Sequence, residues 1–461
     1  MHNSASFVRL SNVRKHPNAD RLQLATVHGN QVVVGPDAKT GDLGIYFESN
    51  LQISQQFADA NDLIRRKNPT TGKQEGGMFD ANRKVRTQKF RGEISDGFWC
   101  PVSYLDATLE NNNVSNNFDW DTYEGYEFID FLGIPICNKF EVIKAPSNGS
   151  LQPKKSRLSS LMFKEHFDTE QFGKHIQEIK PGDLIIITEK LHGTSQRVGH
   201  VLVDRQLNWF ERLLVKCGIK IEDQEWQYLN GTRRVVLDRN YKTGSGFHSD
   251  SLRDAAAFPF IGNLRKGETV YFEVVGFDPA TNGPIMPSVP FDKFKGVAEV
   301  RSQLAINEQD NYNVFSYGCE LDSPLRPATK IFVYRITTTN EDGHSIDLSW
   351  KDVKTRCSEL GVRHVPELLE IHWPSDPHGI DTITHEDIES IVDGYTNGEL
   401  KSTLDPCHYR EGVCVRIEGG LNVRVFKNKS FIFKFGEGLI KEAGIADIED
   451  AGGVDSNEVA L

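Results

Sequence analysis

An apolar run that ends on a lysine, LIIITEK at residues 184–190, constrains the fold of this chain more than any other segment. Its four consecutive aliphatic residues predict a buried β-strand, because the run is too short for an amphipathic helix or for a membrane span. The strand ends at Lys190, and the residues HGTS follow at 192–195. A lysine at a strand end usually extends its ammonium group into water, so other segments must decide whether Lys190 has a further role.

Composition narrows the class of protein. The 461 residues favour two domains, and the 38% hydrophobic content is sufficient for packed interiors. No apolar run is long enough to cross a membrane, so we expect a soluble, cytoplasmic protein with no membrane partner. The seven cysteines are scattered singly, which argues against a disulfide framework and a cysteine zinc site. The net charge of -12 disfavours nonspecific coating of nucleic acid, although local basic patches occur at 65–67, 83–91, 154–157 and 233–234.

The first part of the chain has short runs of alternating apolar and polar residues. RLQLATV at 21–27 and QVVVG at 31–35 are separated by Gly29-Asn30, and the later runs are LGIYF at 43–47 and DGFWCPV at 96–102. Alternation with a period of two, interrupted by turn residues, predicts a small antiparallel barrel or sandwich.

A composition change marks the domain boundary. The segment APSNGSLQPKKSR at 145–157 loses its apolar periodicity and gathers Pro, Ser, Gly and Lys, as a linker does. We therefore predict a first domain at 1–145, a linker at 146–160, a second domain at 161–445 and an acidic tail at 446–461.

Several elements of the second domain can be predicted individually. Asp168 is expected to cap a short helix over TEQFGKHIQEI, and helical patterns occur within 341–400 at WKDVKTRCSELG and HEDIESIVDGY. The histidine-rich segment 370–387 lacks the helical spacing of zinc sites and is expected to be a loop with a helix cap. Further strands are predicted at 232–237, 269–277, 330–336, 412–418 and 421–426.

Three further segments carry residue types that suit a polyphosphate and a divalent metal. The strand TVYFEVVGF presents Glu273, REGVCVRIE presents Glu411, and VFKNKSF presents Lys427 and Lys429. Mg²⁺ prefers oxygen ligands and keeps several waters, so one or two acids per ion suffice. These residues predict attack by the Lys190 amine on the α-phosphate of a nucleotide, with a metal held by Glu411 and with Glu273 bound to metal water or to ribose.

The nucleophile must be a neutral amine, so the lysine pKa must fall from its ordinary value of about 10.4. Nearby cations and partial desolvation lower it. Lys427 and Lys429 would supply that field and would hold the α-phosphate oxygens as charge builds on them. Gly193 would let the backbone approach the nucleotide closely, while Thr194 and Ser195 offer hydroxyl groups to ribose or phosphate.

Four motifs in order resemble those of the covalent nucleotidyltransferases, which comprise ATP-dependent DNA and RNA ligases and mRNA capping enzymes. Lys190-Leu191-His192-Gly193 is similar to the K-x-[DH]-G of the first motif. FEVVG at 272–276 resembles the third motif, EGVCVR at 411–416 the fourth, and KNK at 427–429 the K-x-K of the fifth. One such match alone is weak, but the order of all four favours an active site over a solvated lysine.

The resemblance implies specific roles. It implies that Lys190, Lys427 and Lys429 are catalytic, that Glu411 and Glu273 bind metal, and that ATP contacts Glu189, Lys190, His192, Gly193, Thr194, Arg233, Arg234, Glu273, Tyr334, Lys427 and Lys429. Arg233 and Arg234 are alternatives for one nucleotide contact. Tyr334 is the first choice to stack on adenine and Phe332 the reserve, although Arg335 replaces the acid that usually follows this aromatic residue.

The resemblance also implies an architecture. DNA ligases and capping enzymes carry a further OB domain after the fifth motif, of about a hundred residues, whereas only 461 - 429 = 32 residues follow Lys429, so we expect none there. Residues 16–27 resemble the start of tRNA-binding OB folds, and 84–105 resemble the matching region of Deinococcus-type RNA ligases. We therefore expect an α+β protein: an N-terminal OB-fold β-barrel and a nucleotidyltransferase domain with two sheets, as in ATP-grasp proteins.

The implied function is ATP-dependent sealing of RNA. Lys190 would form lysyl-AMP from ATP, AMP would pass to a 5′-phosphate, and a 3′-hydroxyl would displace it, with Mg²⁺ or Mn²⁺ as cofactor. The partner would be RNA or a nicked RNA/DNA duplex, as in RNA repair. Basic residues of the OB domain would hold it, namely Arg83, Lys84, Arg86, Lys89 and Arg91, whereas Phe90, Phe98 and Trp99 are expected mainly in the core. A DNA ligase and a catalytically inert RNA-binding protein remain alternatives, and the oligomeric state stays open.

Overall fold

A computed structural model describes residues 4–67, 74–140, 160–205, 207–237, 250–291, 311–373, 383–419 and 422–442. The chain forms two compact units. The first comprises Met1–Ile143 and Phe431–Gly444, and the second comprises Lys144–Ser430 and Ile445–Leu461. The predicted acidic tail and nearly all of the predicted linker lie outside the described residues.

Short antiparallel strands build the first unit, because turn residues interrupt its alternating pattern every few residues. A four-stranded sheet has the order Phe98–Pro101, Leu43–Phe47, Ala5–Arg9 and Glu127–Phe128. A three-stranded meander consists of Ser11–Lys15, Gln23–Val27 and Asn30–Val34. Four pairs complete the described strands: Leu51–Ile53 with Cys137–Lys139, Arg65–Lys67 with Gln74–Gly76, Thr87–Phe90 with Glu93–Asp96, and Asp130–Phe131 with Ile134–Pro135.

Helices of the first unit are short. They are Gln55–Ala60, Ser103–Asn111, the 3₁₀ turn Trp120–Tyr123 and the helix Phe431–Glu442. The last of these belongs to the first compact unit, whereas our division of the chain assigned all of 161–445 to the second domain. Lys434 on this helix forms a buried ion pair with Asp96, which also accepts a hydrogen bond from Thr87 at 2.7 Å. This polar contact and the buried ring of Phe433 attach the helix to the first unit.

Aromatic side chains of the first unit lie mainly in its core. Trp99 is buried beside Tyr46, and Phe98 packs on the main cluster, as expected from the sequence. The prediction that Lys84 holds a nucleic-acid strand is wrong, because this side chain is only 3% exposed and its Nζ lies over the Phe140 ring.

Two larger sheets form the second unit. The five-stranded sheet has the order Glu170–Gln171, Asn422–Lys429, Gly412–Gly419, Leu184–Lys190 and Glu367–His372. The other has Val236–Leu237, Gln224–Thr232, Thr194–Asp204, Glu268–Asp278, Thr329–Thr339 and Ser345–Asp347 in order, with Gly283–Pro284 and Arg363–His364 pairing beside it. A separate pair is formed by Val289–Pro290 and Tyr312–Asn313.

The helices of the second unit lie between these strands. Those within the described residues are Trp209–Lys216, Asp250–Ala257 with the 3₁₀ turn Phe258–Phe260, Trp350–Leu360 and His385–Asp393 with the π-helical turn Gly394–Gly398. The last two α-helices confirm the patterns within 341–400, and Ser349 and Thr384 cap them. Among the described residues, no helix is long and apolar enough to cross a membrane.

Two local predictions in the second unit were wrong. The segment after Asp168 forms the strand Glu170–Gln171 and 3₁₀ turns at Phe172–Lys174 and Ile176–Glu178 instead of one helix, because its strand pairs in parallel with the distant residues Phe426 and Lys427. Residues 370–372 of the segment expected to be a loop belong to the strand Glu367–His372, which pairs with the apolar run at 184–190.

The connection after the apolar run positions the site. Leu184–Lys190 belongs to the five-stranded sheet, and Thr194–Asp204 belongs to the other sheet. Residues 191–193 therefore carry the chain from one sheet to the other, and side chains of both sheets can converge near Lys190.

Candidate active site

The register of the five-stranded sheet brings the predicted lysines to one face. Gly412 pairs with Lys190 on one side and with Lys429 on the other, while Cys414 pairs with Thr188 and with Lys427. Residues directly opposite each other on neighbouring strands, and residues two apart on one strand, share a face. Lys190, Lys427 and Lys429 therefore emerge on the same face.

A buried carboxylate lies at the centre of this face. Glu411 Oε1 lies 2.7 Å from Lys190 Nζ and 3.4 Å from Lys429 Nζ, and Glu411 is 1% exposed. Burial opposes ionisation of Glu411, but the two ammonium groups outweigh it and lower its pKa to about 2. Glu411 is thus ionised at neutral pH, and Lys190 is held in an ion pair.

The surroundings of Cys414 agree with a packed thiol. Burial raises the pKa of Cys414 to about 11, against the opposing effect of Lys190. A thiol in that state is a weak nucleophile, so Cys414 is a packing residue rather than a nucleophile.

Glycine is required at two positions of the site by close backbone packing. A Cβ on Gly412, whose φ is +155°, would lie 2.1 Å from the Asn428 carbonyl oxygen. A Cβ on Gly193 would lie 2.4 Å from the carbonyl oxygen of Val274. Packing of Gly193 against the strand Glu268–Asp278 therefore gives a second reason for glycine at this position, beside the predicted approach of the backbone to a nucleotide.

The second sheet contributes polar side chains from the strand after Gly193. Ser195 pairs with Glu273, and its hydroxyl is hydrogen-bonded to that of Tyr334 at 2.7 Å. Thr194 projects to the opposite face, where its hydroxyl accepts a hydrogen bond from Arg253 at 2.7 Å. The structure thus groups Ser195, Glu273 and Tyr334 and does not bring Thr194 to them.

The two adjacent arginines share one carboxylate. Asp168 forms an ion pair with Arg233 and another with Arg234, the second at 3.0 Å. Arg233 is the more buried of the two, and its charge acts on both His166 and Tyr334. Of the two alternatives left by the sequence, the geometry favours Arg233.

His166 packs against Tyr334 within reach of the charge of Arg233. Its ring lies 5.0 Å from the Tyr334 ring, edge to face. Burial, followed by the charges of Arg335 and Arg233, lowers the pKa of His166 well below its usual value. The imidazole is therefore neutral.

Contacts within the protein account for both Phe332 and Arg335. Phe332 is 1% exposed, so Tyr334 remains the better stacking residue. Arg335, which replaces the expected acid, donates to Asp347 at 2.5 and 3.1 Å and lies over the rings of Phe167 and Tyr271.

Glu189 is separated from the lysines by the sheet. It pairs with Val413, so it lies on the face opposite Lys190. Its carboxylate accepts hydrogen bonds from Ser402 Oγ at 2.6 Å and from the Thr403 N–H at 2.9 Å, and Arg410 lies 3.7 Å away. These contacts do not support the prediction that Glu189 binds ATP, because they occupy its carboxylate on the wrong face.

Comparisons with known proteins agree with this architecture. A family model described as an OB-fold domain matches residues 4–102. A solved structure of a Naegleria gruberi RNA ligase with PPi matches with a TM-score of 0.51 and 16% identity, covering 96% of this chain and 99% of the ligase. The chain has the fold of an RNA ligase.

Two further structures of the Naegleria gruberi ligase match similarly. A lysine-to-alanine variant with ATP and Mn has a TM-score of 0.50 and 14% identity, covering 93% of this chain and 98% of that one. A glutamate-to-alanine variant with AMP and Mn has a TM-score of 0.50 and 15% identity, covering 94% and 98%. A search of curated proteins gives no match. The expected fold class, an N-terminal OB fold followed by a nucleotidyltransferase fold, is confirmed.

Three residues of the site have no counterpart among our sequence predictions of site residues. Tyr317 accepts a hydrogen bond from the His192 N–H, Arg253 binds Thr194, and His166 contacts Tyr334. None of them belongs to a recognisable motif. Tyr317 is separated from His192 by 125 positions, so only the tertiary fold reveals the contact.

Proposed function

We propose that this protein is an ATP-dependent RNA ligase that seals 3′-hydroxyl and 5′-phosphate ends, at nicks in duplexes, through lysyl-AMP formed on Lys190. The observation that carries the proposal is the convergence of Lys190 and Lys429 on the buried carboxylate of Glu411, at 2.7 and 3.4 Å. Similarity of the whole fold to a known RNA ligase adds support. The N-terminal position of the OB fold agrees with the Deinococcus-type subgroup, which is part of the proposal.

Each group near Lys190 has a role in the first step. Lys190 Nζ forms a bond to the α-phosphorus of ATP, the bond from that phosphorus to the bridging oxygen breaks, and pyrophosphate leaves. Lys427 and Lys429 stabilise the negative charge that builds on the α-phosphate oxygens. All three lysines lie on one face of the sheet, so they can reach the same α-phosphate.

The nucleoside would lie against the second sheet. Tyr334 stacks on adenine, with Ser195 fixing its hydroxyl at 2.7 Å, and Glu273 binds the ribose hydroxyls. Arg233, held by Asp168, contacts the nucleotide. His192 lies beside it and packs on Phe315, since the two rings are 4.7 Å apart, edge to face.

The resting site differs from our expectation in one respect. Lys190 forms an ion pair with the carboxylate of Glu411, and an ion pair favours the ammonium form over the neutral amine. Lys190 must therefore lose its proton and its contact with Glu411 before it attacks. The field of Lys427 and Lys429 assists only after that contact is broken.

The residues present fit a divalent cation. Glu411 Oε2 is buried and makes no hydrogen bond within the described part of the chain, and His192 Nδ1 is 3.6 Å from it. Glu411 would hold Mg²⁺ or Mn²⁺ together with waters, and Glu273 would bind one of those waters as the alternative to its ribose contact. When bound, the ion supplies charge neutralisation for Glu411 and for the phosphates. No cluster of three His, Cys, Asp or Glu that would form a complete protein cage occurs among the described residues.

The first unit would hold the nucleic acid. Of the five basic residues considered for this role, Arg91 is exposed, while Arg86 forms an ion pair with Asp80 at 2.8 Å and Lys89 lies over the Phe431 ring. Arg83 donates to the Gln55 side chain at 2.7 Å. Because Lys84 is buried, Arg83, Arg86, Lys89 and Arg91 are the residues proposed to contact phosphates.

Sealing of a labelled nick tests the proposal. The purified chain is incubated with ATP, Mg²⁺ or Mn²⁺, and a duplex nicked beside a labelled 5′-phosphate. We expect a longer, phosphatase-resistant strand when the 3′-hydroxyl end is RNA, none with Lys190→Ala, and an unchanged yield with Lys180→Arg, an exposed lysine. Sealing only with a DNA 3′ end would identify a DNA ligase. Binding of RNA without any sealing would indicate an inert binding protein.

A further inference from the structure

A tight turn at Phe315–Cys319 contacts the loop that follows Lys190. Its backbone is held from two sides. Asp405 accepts hydrogen bonds from Ser316 Oγ and from the Gly318 N–H, the second at 2.8 Å. Lys330 Nζ donates to the carbonyl oxygens of Tyr317 and Gly318 at 2.8 and 3.0 Å.

Tyr317 has a strained backbone in this turn. Its φ is +49°, a left-handed conformation that non-glycine residues rarely adopt. Its N–H donates to His408 Nε2 at 3.2 Å. Strained residues of this kind persist only where surrounding contacts fix them, and they often occur at functional sites.

The phenol of Tyr317 makes its contact outside the turn. Its oxygen accepts a hydrogen bond from the His192 N–H at 2.6 Å, and the side chain is fully buried. Burial, with the nearby carboxylates of Glu189, Glu411 and Glu273, raises the pKa of Tyr317 well above its usual value. The phenol is therefore neutral and serves as a fixed hydrogen-bond partner.

The contacts that hold the turn are distinct from the contact that the Tyr317 hydroxyl makes with the loop after Lys190. The turn is held through its backbone and the Ser316 hydroxyl by Asp405, Lys330 and His408, none of which binds the phenol oxygen in the contacts above. The hydroxyl is directed at the loop between Lys190 and Thr194. Loss of the hydroxyl alone should leave the turn in place and release the His192 N–H.

We infer that Tyr317 is a positioning residue for lysyl-AMP formation: its hydroxyl fixes the backbone at His192 and so sets the direction from which Lys190 approaches the α-phosphate. The inference rests on the proposed function. Small displacements of a nucleophile reduce the rate strongly, because attack requires a defined geometry.

Two measurements on Tyr317→Phe test the inference. In hydrogen exchange, the His192 amide, followed in the peptide covering 190–195, should exchange about tenfold faster than in the wild type, since it has lost its buried acceptor. In single-turnover labelling with α-labelled ATP, the rate constant should fall about tenfold while the final amplitude stays unchanged. Tyr228→Phe, which removes a hydroxyl that donates to the Leu264 carbonyl in the same unit, is the matched control and should change neither quantity.

The possible results distinguish failure of the Tyr317 inference from failure of the proposed function. Unchanged exchange at 190–195, or an unchanged labelling rate constant, would overturn the inference. A lower amplitude with an unchanged rate constant would indicate a smaller folded fraction, which is a purely structural role and also overturns it. Wild-type protein that takes up no label would refute the proposed function itself, whereas labelled wild type with an equally fast variant would refute only the role of Tyr317.

Discussion

Replacement of Glu411 by glutamine removes the negative charge at the centre of the candidate site and leaves the shape of the side chain nearly unchanged. Glutamine has nearly the same shape but no charge, so Lys190 and Lys429 lose the carboxylate that they share at 2.7 and 3.4 Å. The two ammonium groups then face each other in a buried space. We expect the variant to be less stable than the wild type at neutral pH.

The size of this loss in the free energy of unfolding follows from the ionisation of Glu411. A pKa of about 2 in place of the ordinary 4.5 corresponds, at about 1.4 kcal/mol for each pH unit, to about 3 kcal/mol in favour of the charged form. Breaking a buried ion pair by removing one partner typically costs about 3–5 kcal/mol. We therefore predict a loss of about 3 kcal/mol in the free energy of unfolding.

Urea unfolding across a pH series measures this loss. The folded-state pKa of Glu411 is lowered, so its contribution to stability is fully present above pH 4.5 and is lost as the pH falls towards 2. The difference between wild type and Glu411→Gln should be constant from pH 7 to about pH 5 and should shrink at lower pH. Other carboxylates titrate in both proteins and cancel in the difference.

Glu399→Gln is the matched control, because Glu399 is exposed and lies outside the site. It should change the free energy of unfolding by less than about 0.5 kcal/mol at every pH. A Glu411→Gln loss as small as that of the control, or a loss that does not depend on pH between 5 and 2, would refute the ion-pair reasoning.

Three further predictions concern single contacts. Tyr334→Leu should raise the KM for ATP in initial-rate labelling about tenfold while Tyr334→Phe stays near wild type, because stacking on a base contributes about 1–3 kcal/mol; equal KM values for both variants would exclude stacking. Gly412→Ala should lower the free energy of unfolding by about 3 kcal/mol in urea titrations, since its Cβ would lie 2.1 Å from a backbone oxygen that cannot move freely; wild-type stability would contradict the packing. Lys434→Met should destabilise the first unit by about 3–5 kcal/mol by leaving Asp96 buried and unpaired, which is measurable by hydrogen exchange at 87–96; unchanged protection there would show that the ion pair does not stabilise the unit.

The strands were predictable because the two features that define them, apolar alternation and flanking turn residues, are local. Leu43–Phe47 has its predicted bounds, and the strands around Glu273 and Tyr334 differ from prediction by one to three residues at each end. Apolar alternation and turn residues are properties of a few neighbouring positions. The order of the motifs then located the three lysines that the sheet register places on one face.

Side-chain direction is where the structure and our expectations differ most within the site. Glu189 and Thr194 were expected to contact ATP because they adjoin Lys190 and Gly193 in sequence. Neighbours on a strand point to opposite faces, so the β-strand predicted at 184–190 already implies that the side chain of Glu189 lies on the face opposite Lys190.

Other errors depended on long-range contacts. The apolar pattern of Phe431–Glu442 predicts neither the unit to which the helix belongs nor the pairing of Lys434 with Asp96 across 338 positions. The residues after Asp168 pair with the strand that carries Lys427, which local propensity does not reveal. Tyr317 and Arg253 reach the Lys190 loop only through tertiary packing.

Labelling with α-labelled ATP and a divalent metal tests the central claim most directly, which is that Lys190 becomes covalently bound to AMP. After denaturing electrophoresis, wild type and the exposed-site control Lys180→Arg should retain label, and peptide mapping should assign it to Lys190. Lys190→Arg, which keeps the positive charge but lacks the nucleophilic amine, should retain none. Equal labelling of Lys190→Arg and wild type, or label on another residue, would contradict the account.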